Sequence, residues 1–172
     1  MKKKMTREEI INLAVHIDRV NGHKAREFNY ALCRTQARCD EIKHAIEKIN
    51  KPSADFLAYE KARLALCNEL VEKDDKGQPK VRHVPVPGGG MRVEFAGLDT
   101  NPEFKPRMDV ITEEYADAIE ERKVQTAEVE ERLKEEEEIE LFMVKFEDVP
   151  ETVTREEMKL LMPMILPPAE KK

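Results

Sequence analysis

At 172 residues, with 38% charged residues, 5% aromatics and no Trp, the chain is long enough to bury a core without disulfides or metals. It is too poor in aromatic and β-branched positions for a β-sandwich. The net charge of −6 is unevenly spread: residues 1–50 carry 11 Lys/Arg against 7 Asp/Glu, and residues 101–172 carry 11 against 21.

The chain starts MKKKMTREE, where basic residues are followed by no apolar core, so a signal peptide is not expected. No apolar run approaches the ~20 residues of a membrane span. Cys33, Cys39 and Cys67 are odd in number and lie in helical stretches, which suggests reduced thiols in a cytosolic protein.

TREE occurs twice, at Thr6–Glu9 and at Thr154–Glu157. Each is an S/T-x-x-E capping box, with Met5/Ile10 and Val153/Met158 at the flanking staple positions. The repeat therefore marks two helix starts rather than a duplicated recognition motif. The first helix spans about Arg7 to Val20, with Ile10, Ile11, Leu13, Ala14, Ile17 and Val20 on its apolar face, and Asn21-Gly22 ends it. A second runs from about Lys24 to Ile49, and its near-heptad stripe is Phe28, Leu32, Thr35, Cys39, Ile42, Ile46 and Ile49. Lys51-Pro52 breaks it.

A third helix, about Ser53 to Glu72, continues the stripe through Phe56, Tyr59, Arg63, Cys67 and Leu70, with Leu64 and Val71 alongside. It either folds back as a hairpin or extends the second as a kinked rod. The run Lys73 to Pro79 is turn-forming. Val81 to Val86 and Met91 to Phe95 then read as two short strands around the Gly88-Gly89-Gly90 loop, the first demoted to an edge by its prolines.

The longest helix is expected from about Pro106 to Glu136, with Ile111, Tyr115, Ile119, Arg122, Val129 and Leu133 along one side and an exposed, charged middle. Beyond it the period changes, and Ile139 to Phe146 reads as a strand buried on both faces, the central strand of a small sheet. A last helix covers Arg155 to about Met162, and Pro163, Pro167 and Pro168 end the ordered chain.

The expected fold is therefore α+β and mostly helical, with a helical hairpin or bundle, one long charged helix and a small antiparallel β-sheet. It divides into a helical region 1–72, a region 73–150 of the same domain holding hairpin, long helix and central strand, and a short helix with a disordered tail at 151–172.

Few residues promise chemistry. His16, His23, His44 and His83 form no HExxH and no finger-type spacing with the cysteines, so no metal or cofactor is expected. The Gly88–Gly90 loop lacks a GK[ST] ending and leads into no helix. No residue has the setting of a nucleophile or base, so the chain is read as a non-enzyme. Arg19, Arg26 and Arg34 line one side of the first helical pair and could contact phosphates, but the overall negative charge and the lack of interleaved aromatics argue against nucleic-acid binding. Glu130, Glu131, Glu135 and Glu136 form an acidic stretch that could imitate a phosphate backbone. These four glutamates and the three arginines are the candidate partner-binding surface.

Several segments carry a resemblance: FNYALCRTQARCDEIKHAIEKI, FLAYEKARLALCNELVEKDDKGQPKV, LKEEEEIELFMVKFEDVP and the closing TREEMKLLMPMI. The arrangement is similar to a family of small tailed-phage and prophage proteins of unknown function. Tyr30-Ala31-Leu32, Tyr59 to Arg63, Asp74 to Pro79 and Ile139-Glu140-Leu141 stand where that family has its soft, structural motifs. The chain departs from the pattern at Lys51-Pro52-Ser53 and at PVPGGG. The resemblance implies a phage or prophage origin and brings no catalytic residues with it.

The expected function is accordingly that of a non-enzymatic protein-binding phage protein, an assembly factor or minor structural component in the bacterial cytoplasm or on the virion, with a phage or host protein as partner and self-association allowed. The alternative is an inhibitor of a host defence or nucleic-acid-handling protein, acting through the acidic helix. On the stripe of the second helix, Leu32→Asp or Ile42→Asp is expected to destabilise severely by burying an unpaired charge; an unchanged circular-dichroism melt for either would remove that residue from the core.

Overall fold

The computed structural model describes residues 1–20, 23–85 and 91–168. The glycine loop and the Asn21-Gly22 helix stop lie outside the described residues. The chain is α+β and mostly helical, with helices α1 (Arg7–Arg19), α2 (Arg26–Ile49), α3 (Ala54–Leu70), α4 (Phe104–Glu114), α5 (Ala116–Lys134) and α6 (Arg155–Leu161). The described strands are β1 (Lys2–Thr6), β2 (Val81–Pro85), β3 (Met91–Phe95), β4 (Glu136–Glu140), β5 (Val144–Lys145) and β6 (Ile165–Leu166). They pair two by two: β1 with β4 and β2 with β3 antiparallel, β5 with β6 parallel.

The contacts divide the chain into two units, Met1–Lys51 with Thr126–Lys172, and Pro52–Gln125. This grouping differs from the 1–72, 73–150 and 151–172 segments read from composition, because it follows packing between distant segments rather than changes along the chain.

In the first unit both capping boxes form. The Thr6 and Thr154 hydroxyls accept from the N–H groups of Glu9 and Glu157 (both 3.2 Å), and each Glu carboxylate accepts from the N–H of its Thr (both 2.8 Å). Such caps contribute on the order of 1 kcal/mol each. Met5, Ile10 and Val153 are buried beside them. The core joins Ile10, Leu13, Ala14 and Ile17 of α1 with Phe28, Leu32 and Cys39 of α2, and is closed by Ile139, Leu141, Val144, Leu161 and Met164. Within the α2 stripe, Ile42 and Ile49 are only half-buried.

Residues 139–146 do not form the expected central strand. β4 begins earlier, at Glu136, and among the described residues has only β1 as a neighbour. Its ladder runs out where β1 does: the Leu141 N–H donates to the Met1 carbonyl (2.8 Å), and the next N–H, that of Phe142, donates to the Thr35 hydroxyl (3.0 Å). Thr35 is fully buried, so the one polar member of the stripe satisfies a backbone group that the sheet has left without a strand partner. The ordered chain also continues past Pro163: Met164 is fully buried and Ile165 pairs with Val144.

The expected long helix is two: α4 belongs to the second unit, and residues 116–125 of α5 to the second and 126–134 to the first. The backbone leaves helical geometry at Tyr115 (φ −108°, ψ 22°), though its N–H still donates to Ile111 (3.1 Å). The Tyr115 ring lies against Tyr59 (centroids 6.1 Å apart), which in turn lies against Phe56. Arg107 of α4 reaches Glu69 of α3 through two guanidinium bonds of 2.7 and 2.8 Å. On α3, Leu66, Cys67 and Val71 at the C-terminal end are buried, whereas Leu64 is 40% exposed and stands off the expected face. The turn before β2 is built on Asp74, whose carboxylate accepts from the N–H groups of Lys76 and Gln78, with Gly77 at φ 75°.

Thr35→Val keeps the size of the side chain and removes the acceptor. It should lower unfolding free energy by about 1–3 kcal/mol in a denaturant titration, because the part-buried Phe142 N–H then loses its partner. A variant as stable as the parent would show that this bond contributes nothing.

Candidate functional site

The first unit holds an open cleft of about 450 Å³. The 3.6-residue period of α2 brings Arg38, Glu41, Ile42, Ala45, Ile46 and Ile49 to one side of that helix, and all six line the cleft. Glu137 to Glu140 of β4, Lys2 of β1, Arg7 of α1 and Arg132 of α5 complete it. Its floor is apolar: Ile46 and Ile139 are 7% and 3% exposed, Ile42 is half-buried and Ala45 is open to solvent.

The rim is charged and internally matched. Arg7 binds two carboxylates, Glu135 at 2.5 Å and Glu137 at 3.0 Å. Lys2 meets Glu138 at 2.6 Å, Arg38 meets Glu41 at 3.3 Å and Arg132 meets Glu128 at 2.8 Å. The hydrogen bond between Lys2 and Glu138 raises the lysine's pKa and lowers the carboxylate's, and their mutual charge attraction adds to both shifts. Such arrangements hold the side chains of the rim in place.

The cysteines lie elsewhere. Cys33 is exposed, and burial pushes the Cys39 thiol up to about 12. Cys67 is also buried and its pKa is raised for the same reason. Neutral buried thiols act as small apolar side chains. Among the described residues, no three His, Cys, Asp or Glu side chains stand close enough together to hold a metal ion, and no helix is long and apolar enough to cross a membrane.

None of the seven residues expected from sequence at the partner surface lines the cleft. Glu130 and Glu131 are exposed on α5, and Glu131 is paired with Lys134 at 2.7 Å. Glu135 is taken by Arg7, and Glu136 is the first residue of β4, opposite Thr6. Arg19 ends α1 and Arg26 starts α2, both exposed. The Arg34 guanidinium lies over the Phe142 ring, 4.9 Å from its centroid.

What sequence reasoning missed was the pairing itself. A signal for it was present in the two opposite charge runs, Lys2-Lys3-Lys4 and Glu135 to Glu138. They become adjacent strands, with Lys4 opposite Glu138 and Lys2 opposite Glu140.

Compared with protein-family models, curated proteins and solved structures, the chain matches none.

The Lys2–Glu138 pair has a defined pH window. A carboxylate whose folded pKa lies below its ordinary 4.5 contributes stability that is present above 4.5 and lost as pH falls through the folded value. In thermal melts at low salt, Glu138→Gln should melt slightly below the parent at pH 6 and level with it at pH 2. A difference that persists at pH 2 would mean that the glutamine acts through packing, not charge.

Proposed function

We propose that this chain is a non-enzymatic, protein-binding protein of a tailed phage or prophage, an assembly factor or minor structural component, working in the host cytoplasm or on the virion. The observation that carries the binding part is the cleft. An apolar floor inside a charged rim is the anatomy of a protein-binding surface. The rim carries both signs, Arg38 and Arg132 against Glu41 and Glu140, so the occupant it suits is an amphipathic helix of mixed charge from a phage structural protein. The phage origin rests on the sequence resemblance. The non-enzymatic reading is supported by the engagement of Arg7, Lys2, Glu137 and Glu138 with one another and by the neutrality of the buried thiols.

Inhibition of a host protein through the acidic helix has less support. Glu131 and Glu135 are already neutralised by Lys134 and Arg7, and a phosphate mimic needs free charge.

Ala45 is exposed on the cleft floor, so Ala45→Arg fills the cleft without burying a charge. Tagged parent and variant should be recovered from infected cells and their partners identified by mass spectrometry. The expected result is a capsid, tail or assembly protein that co-purifies with the parent and falls on the order of tenfold with the variant. Equal capture by both would remove the cleft from this function, and a host nuclease or polymerase as main partner would favour inhibition.

A further inference from the structure

β3 reads Met91-Arg92-Val93-Glu94-Phe95, apolar at its odd positions and basic then acidic between them. Read backwards it keeps its apolar positions and exchanges its charges. Two such strands set antiparallel are therefore complementary about Val93.

The structure leaves β3 free to pair in that way. The Ala96 N–H donates to the Lys80 carbonyl (3.0 Å), while the Lys80 N–H donates to Glu72 (2.8 Å); the Ala96–Lys80 bond sets the phase of the ladder, with these two residues at an inward-bonding position. In an antiparallel ladder such pairs recur at every second residue, so Glu94 opposite Arg82 and Arg92 opposite Val84 bond inwards. The N–H and C=O groups of Met91, Val93 and Phe95 then point away from β2. Among the described residues no third strand pairs with β3, and no other segment's backbone bonds to these three. On the other edge the outward-facing residues are Val81, His83 and Pro85, and Pro85 has no N–H to offer, a common way of blocking an edge.

The side chains agree with the backbone. Val81, His83, Met91, Val93 and Phe95 share one face of the hairpin, and on it Met91, Val81 and Val93 are 61%, 44% and 41% exposed. A lone two-stranded hairpin is marginal in water, and three or more strands are the usual stable unit.

We propose that two copies of this chain associate through β3, strand against strand, about a two-fold axis at Val93. Val93 then bonds to Val93 of the second copy, and Met91 to Phe95 of the second copy, using the outward backbone groups. Arg92 and Glu94 fall at the non-hydrogen-bonded positions, where side chains approach most closely, each opposite its counter-charge. A shift of the register by two residues sets Arg92 against Arg92 or Glu94 against Glu94, so the charges select one register. In the single chain Arg92 pairs with Glu94 of its own strand. Association therefore exchanges this ion pair, and the driving force is the backbone bonding and the joined apolar face of four strands. One strand edge is small beside a standard interface of roughly 1,600 Å², so the dimer is reversible and concentration-dependent.

The test is sedimentation velocity of the full chain across a wide concentration range, with Glu94→Arg, Arg92→Glu and the double exchange Arg92→Glu/Glu94→Arg. The parent should pass from monomer to dimer. Each single variant places like charges opposite one another twice and should weaken association on the order of tenfold or more. The double exchange restores complementarity and should restore the dimer, which also shows that the single variants had not merely lost the hairpin. A parent that stays monomeric throughout, single variants that associate like the parent, or a double exchange that stays as weak as the single variants would each overturn the proposal.

Discussion

The first unit depends on one pairing, that of β1 with β4. A lysine-rich strand and a glutamate-rich strand, more than 130 residues apart, would each be soluble and unstructured alone. Set antiparallel they satisfy one another's backbone groups and match their charges. The pairing also turns Met5 and Ile139 into the core, and it brings Arg7 to Glu135 and Glu137. The same two strands form one wall of the cleft, with α2 as the other. The surface ion pairs contribute little individually; their main effect is to align the strands and hold the rim of the cleft.

Thr35 shows how closely this ribbon is tied to the helices. A hydroxyl in the middle of an apolar stripe would normally weaken it. Here it accepts the first N–H beyond the reach of β1, so the end of the ribbon and the rotation of α2 are set by the same bond. Buried polar groups with a single available partner specify geometry as much as they stabilise it.

Local signals were legible and were obeyed. The two TREE boxes, most of the stripe of α2 and the turn around Asp74 all involve residues within a few positions of one another, and all form. The corrections share one cause. Glu136 to Glu138 have helical preference, yet they become strand because β1 lies beside them, with Thr6, Met5 and Lys4 opposite. The alternating run after Ile139 breaks because its partner strand is exhausted. The long helix breaks at Tyr115, whose ring packs on Tyr59, and no periodicity announces that contact. For the candidate site, the arginines and glutamates singled out from sequence were chosen for charge. The cleft is instead defined by half-buried Ile42, exposed Ala45 and the charges that frame them. Ile42 looked like any other core position because its spacing is that of the core.

The sequence by itself therefore determined the first three helices and the last, the two capping boxes, most of the buried faces in the first unit and the α+β class, since each depends on spacing and composition within a few turns of chain. Only the tertiary structure decided which strands pair, where the β4 ladder stops, how the opposite charge runs meet and where an apolar floor is left open. Those outcomes depend on long-range partners, and the free energy of a strand lies in its neighbour rather than in its own residues.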